Sequence, residues 1–194
     1  IKESKKIVII AGGGIKYTSK HKEVIKLAEL LNTPMVTAAG HGDAIPFDHK
    51  LNAGQMGPRG NSVASRLVKE ADVIIALGTR LGFNSTFYSY DNINKRAKII
   101  QVELEKKMLG RYFPISIGIH ADAATVTNQI YNEIQKQKTI LDVKNWTNSY
   151  LKKRANSIVV QDFKINKYLN NNKDDFKEVR LGLKTFLEKN SINV

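Results

Sequence analysis

The sequence contains no cysteine, so neither a disulfide nor a thiolate metal site can form among its 194 residues. The missing thiols fit a cytoplasmic protein, which is the location we expect. Apolar runs stay well below the roughly 18 residues that a membrane-spanning helix needs, so no membrane partner is expected. The chain lacks the apolar core of a signal peptide and begins with Ile1 rather than methionine. We therefore expect a piece of a longer protein.

Acidic residues are outnumbered by basic ones, 18 against 31, which gives a formal net charge of +13. Such an excess is typical of proteins that bind nucleic acid. The basic residues here are mostly lysines, scattered along the chain rather than clustered beside aromatic residues. We therefore do not expect nucleic acid as a partner.

Histidines are few, and none has the spacing of a metal-ligand pair, so no metal site is predicted. We expect all four to be surface or packing residues: His21, His41, His49 and His120.

The stretch from Lys6 to Leu31 carries the clearest local pattern. Ile7–Ala11 predicts a buried parallel strand, and an amphipathic helix follows with Val24, Leu27, Ala28 and Leu31 on one face. Between them stand three consecutive glycines: Gly12, Gly13 and Gly14. Such a turn lets backbone amides approach a phosphate, but Tyr17 stands where the dinucleotide fingerprint requires glycine. A phosphate-binding turn and a tight packing turn both remain open.

Further strands alternate with helices along the chain. We predict strands at Met35–Ala39, before Gly54, and at Ala71–Leu77, Lys98–Glu103 and Ser116–Ile119. This order predicts an α/β fold: a doubly wound, Rossmann-like parallel sheet of about six strands, followed by a C-terminal linker and an extra helix. Ligands of such sheets bind at the carboxyl ends of the strands. Those ends carry glycines, an arginine and carboxylates: Gly12–Gly14, Thr37, Gly57–Gly60, Thr79, Arg80, Glu103 and Asp122.

The pattern changes after residue 138. We predict a first domain over residues 1–138, a helix and solvated linker over 139–175, and the beginning of a further domain over 176–194.

Four segments resemble the central domain of thiamine diphosphate-dependent enzymes of the acetohydroxyacid synthase type. They are Ala11–Gly14, Gly57–Gly60, Ala76–Gly82 and Ile99–Val102, and the resemblance covers about residues 5–137. More faintly, Val179–Val194 resembles the opening helix and strand of the third domain of these enzymes.

The resemblance implies that the catalytic machinery lies in other domains. In this family an N-terminal domain supplies the glutamate that activates thiamine diphosphate. A C-terminal domain holds the diphosphate and Mg²⁺ through a Gly-Asp-Gly motif, whereas Gly42-Asp43-Ala44 lacks the second glycine. We thus expect no catalytic residue and no activity in this chain alone. Its partners would be those two domains, within a homodimer or homotetramer.

The resemblance also implies a nucleotide pocket, which in this family holds FAD, an ADP-like nucleotide or nothing. Carried over by position, Gly12, Gly13 and Gly14 would face the pyrophosphate. The flavin or ribityl side would be lined by Thr37, Pro58, Arg59 and Gly60, the phosphates by Gly78, Thr79 and Arg80, and the adenosine by Glu103 and Asp122. Glu103 replaces an aspartate, and Arg59 stands where FAD-binding synthases have a histidine, so all three occupancies remain open.

Some of these residues also have explanations that need no ligand. Arg80 could pair with Glu103 or Asp122, Asp122 could simply cap a helix, and Arg59 could lie at a domain interface. For the whole protein we weigh a thiamine diphosphate-dependent transferase, an acetolactate-forming synthase with FAD, and a stand-alone nucleotide-binding module.

Overall fold

The computed structural model describes residues 4–137 and 143–153, which belong to one compact unit. The linker predicted within 156–175, the helix within 176–189 and the strand at 191–194 lie outside the described residues. The domain boundaries after residues 138 and 175 therefore stay predictions.

Six strands form the sheet: β1 (Ile7–Ala11), β2 (Met35–Thr37), β3 (Asn52–Gln55), β4 (Val73–Leu77), β5 (Lys98–Glu103) and β6 (Ile117–His120). The helices are α1 (Gly13–Thr18), α2 (His21–Leu31), α3 (Ser62–Glu70), α4 (Phe83–Thr86), α5 (Ala123–Lys136) and α6 (144–153). Short 3₁₀ turns lie at Gly42–Ala44 and Lys106–Met108.

The strands are all parallel and lie in the order β3-β2-β1-β4-β5-β6. Strands β1 and β4 are central and fully buried, as expected for β-branched segments covered on both faces. Ile7 and Ile9 point into one core with α2 and α5, while Val8 and Ile10 point into a second core with α3. The predicted doubly wound α/β sheet of six parallel strands is confirmed.

Helix α6 closes the amino edge of this sheet. Trp146 donates from Nε1 to the carbonyl of Ile7 at 3.0 Å, and Thr147 donates from its hydroxyl to the carbonyl of Asn32 at 2.7 Å. The buried Tyr150 donates from its hydroxyl to the Glu70 carboxylate. Helix α6 thus binds the first residue of β1 and the segments that precede β2 and β4.

Two local predictions are corrected by the structure. The single helix expected after the glycine turn is divided into α1 and α2 by Ser19, whose φ of 55° lies in the left-handed region. The stretch 83–94 is polar and aromatic without a clear period, which predicts a loop, but it begins with the short helix α4. This helix ends at Thr86 and is followed by Phe87 and Tyr88, both at positive φ. Neither break involves glycine or proline, the residues from which such breaks are normally predicted.

No helix in the described part of the chain is long and apolar enough to cross a membrane. Within 4–137 and 143–153, no three histidine, aspartate or glutamate residues come together as a metal site.

Candidate functional site

A cleft of about 470 Å³ opens at the carboxyl edge of the sheet, between the ends of β1 and β4. These two strands are neighbours but are not consecutive, so the strand order reverses here. Six of the predicted site residues line this switch cleft: Gly13, Gly14, Gly78, Thr79, Arg80 and Glu103. Five of these six belong to the turns after β1 and β4, which the sheet brings together.

The glycine turn packs closely against the protein's own backbone. The amide of Gly12 donates to Leu77 O and that of Gly14 to Gly78 O, each at 3.0 Å. A Cβ on Gly12 would lie 2.5 Å from Gly78 O, and one on Gly14 would lie 2.8 Å from Gly78 Cα. Gly12 and Gly14 are therefore required by packing, and their amides are already occupied. Gly13 is the glycine of the three that faces side chains across the cleft.

The turn after β4 is held from below by Gln101, a buried amide in the middle of β5. Its Nε2 donates to Thr79 O at 3.1 Å, and its Oε1 accepts from the Gly110 amide at 2.8 Å. Sequence analysis missed this residue, although an amide within an otherwise apolar strand was a visible signal. Gln101 ties the cleft-lining turn after β4 to the loop that follows β5.

Arg80 is held by a carboxylate that the sequence analysis did not pair with it. Its Nη2 lies 3.2 Å from Glu105 Oε2, so neither Glu103 nor Asp122 is its partner. Lys107 binds the other oxygen of Glu105 at 2.7 Å, and this hydrogen bond, with Arg80 adding to it, lowers the pKa of Glu105. The side chain of Arg80 is 57% exposed at the rim of the switch cleft.

Glu103 lies at the end of β5 with only 8% of its surface exposed. Its Oε1 accepts from the amides of Leu104 at 3.1 Å and Glu105 at 3.4 Å. The other oxygen, Oε2, accepts no hydrogen bond from the described residues. Glu103 thus lines the switch cleft with a carboxylate that is anchored to backbone amides through one of its two oxygens.

A second cleft of about 530 Å³, which we term the outer cleft, shares Ala39, Phe83 and Asn84 with the switch cleft. Pro58 and Arg59 line it, together with the exposed ring of Phe87. The two clefts therefore form a continuous path along the carboxyl edge, from the glycine turn to the loop after β3.

Gly60 shapes that loop rather than facing either cleft, because a Cβ there would overlap Gln55 O. Thr37 ends β2 and is buried, and its hydroxyl oxygen has no hydrogen-bond partner among the described residues. Asp122 caps α5: its Oδ1 accepts from the Thr125 amide at 2.7 Å. None of these three predicted residues lines the two clefts.

Exposed aromatic rings border the outer cleft. Phe83 lies 5.0 Å from Phe87 and 5.5 Å from Tyr88 between ring centroids, and Tyr88 stacks on Tyr112 at 4.4 Å. Arg111 in turn lies over the Tyr112 ring at 5.6 Å. These mutual contacts support the view of the segment as a loop anchored by its aromatic residues.

His41 lines the switch cleft, although sequence analysis treated it as a surface or packing residue. Its ring packs edge-on against Tyr17 at 5.8 Å, and its Nδ1 is buried without a partner among the described residues. Burial lowers the pKa of His41, nearby Lys16 lowers it further, and Asp43 opposes both. No sequence spacing could have revealed this contact, since it depends on the loop after β2 folding over the glycine turn.

An all-parallel sheet in this order, with a cleft at its switch point, defines a Rossmann-like fold. The chain belongs to the family of thiamine pyrophosphate enzyme central domains, whose family model matches residues 1–130. The family resemblance found in the sequence is thereby confirmed.

Curated relatives fall into two groups of named enzymes. The sulfoacetaldehyde acetyltransferase of Castellaniella defragrans is 39% identical over 142 residues, which cover 72% of this chain and 24% of that protein. The sulfoacetaldehyde acetyltransferase of Alcaligenes xylosoxydans xylosoxydans is 39% identical over 132 residues, 67% of this chain and 22% of that protein. A probable acetolactate synthase large subunit of Methanocaldococcus jannaschii is 30% identical over 163 residues, 84% of this chain and 27% of that protein. The chain thus spans about a quarter of the length of these relatives.

Proposed function

We propose that this chain is the nucleotide-binding scaffold domain of a thiamine diphosphate-dependent transferase and carries no catalytic residue of its own. The observation that supports this most is the switch cleft between the ends of β1 and β4. Open parallel sheets bind their ligands at this point, because the loops on either side diverge and leave room.

The chemistry of the cleft suits an adenine nucleotide with a diphosphate. Arg80 offers a guanidinium for phosphate oxygens, and a bound phosphate would compete with Glu105 for it. Glu103 offers a carboxylate oxygen that accepts no hydrogen bond from the described residues, which suits a ribose hydroxyl or the adenine amino group. Both groups line the same cleft as Gly13, Gly14 and Gly78.

ADP and FAD differ in what they would place in the outer cleft. The isoalloxazine ring of FAD would lie among Phe83, Phe87 and Arg59, whereas ADP would leave that cleft to solvent or to a neighbouring domain. We favour ADP, because Arg59 and Glu103 depart from the residues that the FAD-binding synthases have at these positions.

Titration of the 194-residue chain with ADP and with FAD, followed by calorimetry, tests this proposal. Loss of the guanidinium in Arg80→Met should weaken ADP binding about tenfold, the size expected for a charge-assisted phosphate contact. Arg66→Met on α3 removes the same charge far from the cleft and should leave affinity unchanged. If millimolar ADP and FAD both fail to bind, the nucleotide role is wrong.

For the whole enzyme we propose the reaction named by its relatives at 39% identity, sulfoacetaldehyde acetyltransfer. Sulfoacetaldehyde and phosphate would give acetyl phosphate and sulfite. Lys107–Gly110 and Ile115–Ile119 resemble the corresponding segments of that enzyme more than those of the synthases. Thiamine diphosphate and Mg²⁺ would be held by the other domains and would supply the chemistry that activates the aldehyde. The assembled enzyme would be a cytoplasmic homodimer or homotetramer.

An acetolactate synthase with a structural FAD is the second candidate, supported by relatives such as that of Methanocaldococcus jannaschii. Assaying the full-length enzyme for sulfite release and for acetolactate distinguishes the two. Formation of neither product would contradict both, and an open reading frame without a Gly-Asp-Gly motif would leave a stand-alone nucleotide-binding module.

A further inference from the structure

The ring of His41 lies directly against the backbone of the glycine turn. A Cβ placed on Gly13 would lie 3.1 Å from His41 Cε1 and 3.3 Å from His41 Nε2. The edge of the imidazole that carries Nε2 therefore lies beside Gly13, which lines the switch cleft. Tyr17 holds the ring in place by an edge-on contact.

The two ring nitrogens of His41 differ in their surroundings. Nδ1 is buried and has no hydrogen-bond partner among the described residues, whereas Nε2 is not enclosed. A buried N–H without an acceptor costs more than a buried lone pair, because unsatisfied donors are the rarer state in proteins. The favoured neutral tautomer thus carries its proton on Nε2, which makes a residue of the cleft lining a hydrogen-bond donor.

The charged groups around His41 are compatible with an anion. Lys16 on α1 lies close by and forms an ion pair with Asp43 at 3.0 Å, and Arg80, which pairs with Glu105, lines the same cleft as His41. Glu103 is the carboxylate within the cleft lining, and its Oε1 is already bound to backbone amides. A bound anion would compete with Asp43 and Glu105 for these two basic groups.

We propose that His41 contacts the ligand of the switch cleft, donating from Nε2 to a phosphate oxygen held beside Gly13. This inference rests on the proposed nucleotide role, but His41 is not among the residues that the proposed function uses. The ligand chemistry is a diphosphate, either that of a nucleotide or free inorganic pyrophosphate.

The contact needs no proton uptake, because the neutral ring already carries its proton on Nε2. A second proton would go to Nδ1, which is buried and has no acceptor among the described residues. Burial and the nearby Lys16 lower the pKa of His41, which favours the neutral ring, while Asp43 opposes both.

Nitrogen-15 NMR of the 194-residue chain, with inorganic pyrophosphate as the probe, tests the inference. The signals of His41 are assigned by their loss in His41→Gln. We expect the Nε2–H tautomer before titration and a shifted Nε2 resonance after pyrophosphate is added, with the proton still on Nε2. Calorimetry at constant pH should show that His41→Gln weakens the binding of pyrophosphate and of ADP about tenfold, the size expected for one hydrogen bond to a charged group.

A matched control is His21→Gln on α2, which should keep the wild-type affinity. If ADP binds but His41→Gln leaves the affinity unchanged, the inference about His41 is wrong while the nucleotide role stands. If pyrophosphate shifts His41 but neither ADP nor FAD binds, the nucleotide role fails and His41 remains an anion ligand. If no probe binds, both are wrong. Should His41→Gln fail to fold, the His41 signals are assigned by elimination with His21→Gln, His49→Gln and His120→Gln, and the wild-type titration decides.

Discussion

The amino and carboxyl edges of the sheet differ in how far they are closed and in how many of their polar groups have partners. At the amino edge, Trp146, Thr147 and Tyr150 of α6 each bind a specific group, and the edge is closed. At the carboxyl edge two clefts stay open and exposed aromatic rings surround them. Two of the three buried side-chain atoms without partners in the described chain also lie there, on Thr37 and His41.

The contrast supports the proposal that the amino edge stabilises the domain and the carboxyl edge binds a ligand. Polar groups that are satisfied within the protein contribute to folding, whereas buried polar groups without a partner cost stability and are expected mainly at functional sites. The carboxyl edge nevertheless contains one tightly packed part, the glycine turn against the turn after β4. These close-packed turns form one wall of the switch cleft.

Gly12→Ala would show how much the close packing of the glycine turn contributes to stability. The added Cβ would collide with backbone and with the Thr79 side chain, neither of which can move without disturbing β4. We expect the free energy of unfolding, measured by urea denaturation, to fall by about 3 kcal/mol. Gly82→Ala is the matched control, since nothing lies within 4 Å of a Cβ there. Equal losses in the two variants would mean that the turn is not close-packed.

Tyrosine to phenylalanine changes at the two edges sharpen the comparison directly. Tyr150→Phe removes a hydroxyl bonded to the Glu70 carboxylate at the closed edge and should cost about 1.5 kcal/mol of unfolding free energy. Tyr17→Phe removes a hydroxyl from a side chain that is 76% exposed at the open edge and should change stability by less than about 0.5 kcal/mol. A larger effect at Tyr17 than at Tyr150 would reverse the assignment of the two edges.

Two substitutions of Asp122 distinguish a capping role from ligand binding at the carboxyl edge. Asp122→Ala removes the acceptor for the Thr125 amide at the start of α5 and should cost about 1 kcal/mol, measured by thermal or urea unfolding. Asp122→Asn keeps an acceptor oxygen and should keep the stability. Weaker ADP binding in Asp122→Asn at unchanged stability would show that this residue reaches the adenosine after all.

The smallest expected effect concerns the acid stability of the closed edge. The hydrogen bond from Tyr150, with Arg66 adding to it, lowers the pKa of Glu70 in the folded protein. The contribution of this pair is therefore present above pH 4.5, the ordinary value, and is lost as the pH falls through the lowered pKa. The stability difference between the wild type and Tyr150→Phe should shrink from pH 7 to pH 3. A constant difference across this range would show that Tyr150 gains no stability from the ionised carboxylate of Glu70.

Much of the fold could be predicted because its signals are local. Buried β-branched runs such as Ile7–Ala11 gave the strands, and Asp122 was recognised in the sequence as a possible cap of the helix that is α5 in the structure. The break at Ser19 could not be foreseen, because serine rarely adopts the left-handed conformation that packing imposes there.

The candidate site was predictable by position but not by contact. The turns that follow β1 and β4 were expected to meet, and they do. The partner of Arg80 was wrong, because Glu105 reaches it from the loop after β5, and His41 was missed because its role depends on a loop folding back over Gly13.

Residues a few positions apart determined the strands, the helices and the parallel arrangement, since periodicity and turn chemistry act over short distances. Only the tertiary structure decided which neighbours each glycine meets, which carboxylate holds Arg80 and which imidazole nitrogen is buried. Those outcomes depend on segments distant in the chain, brought within a few ångströms by the packing of the whole sheet. The glycine turn was visible in the sequence, and the different contacts of its three glycines were not.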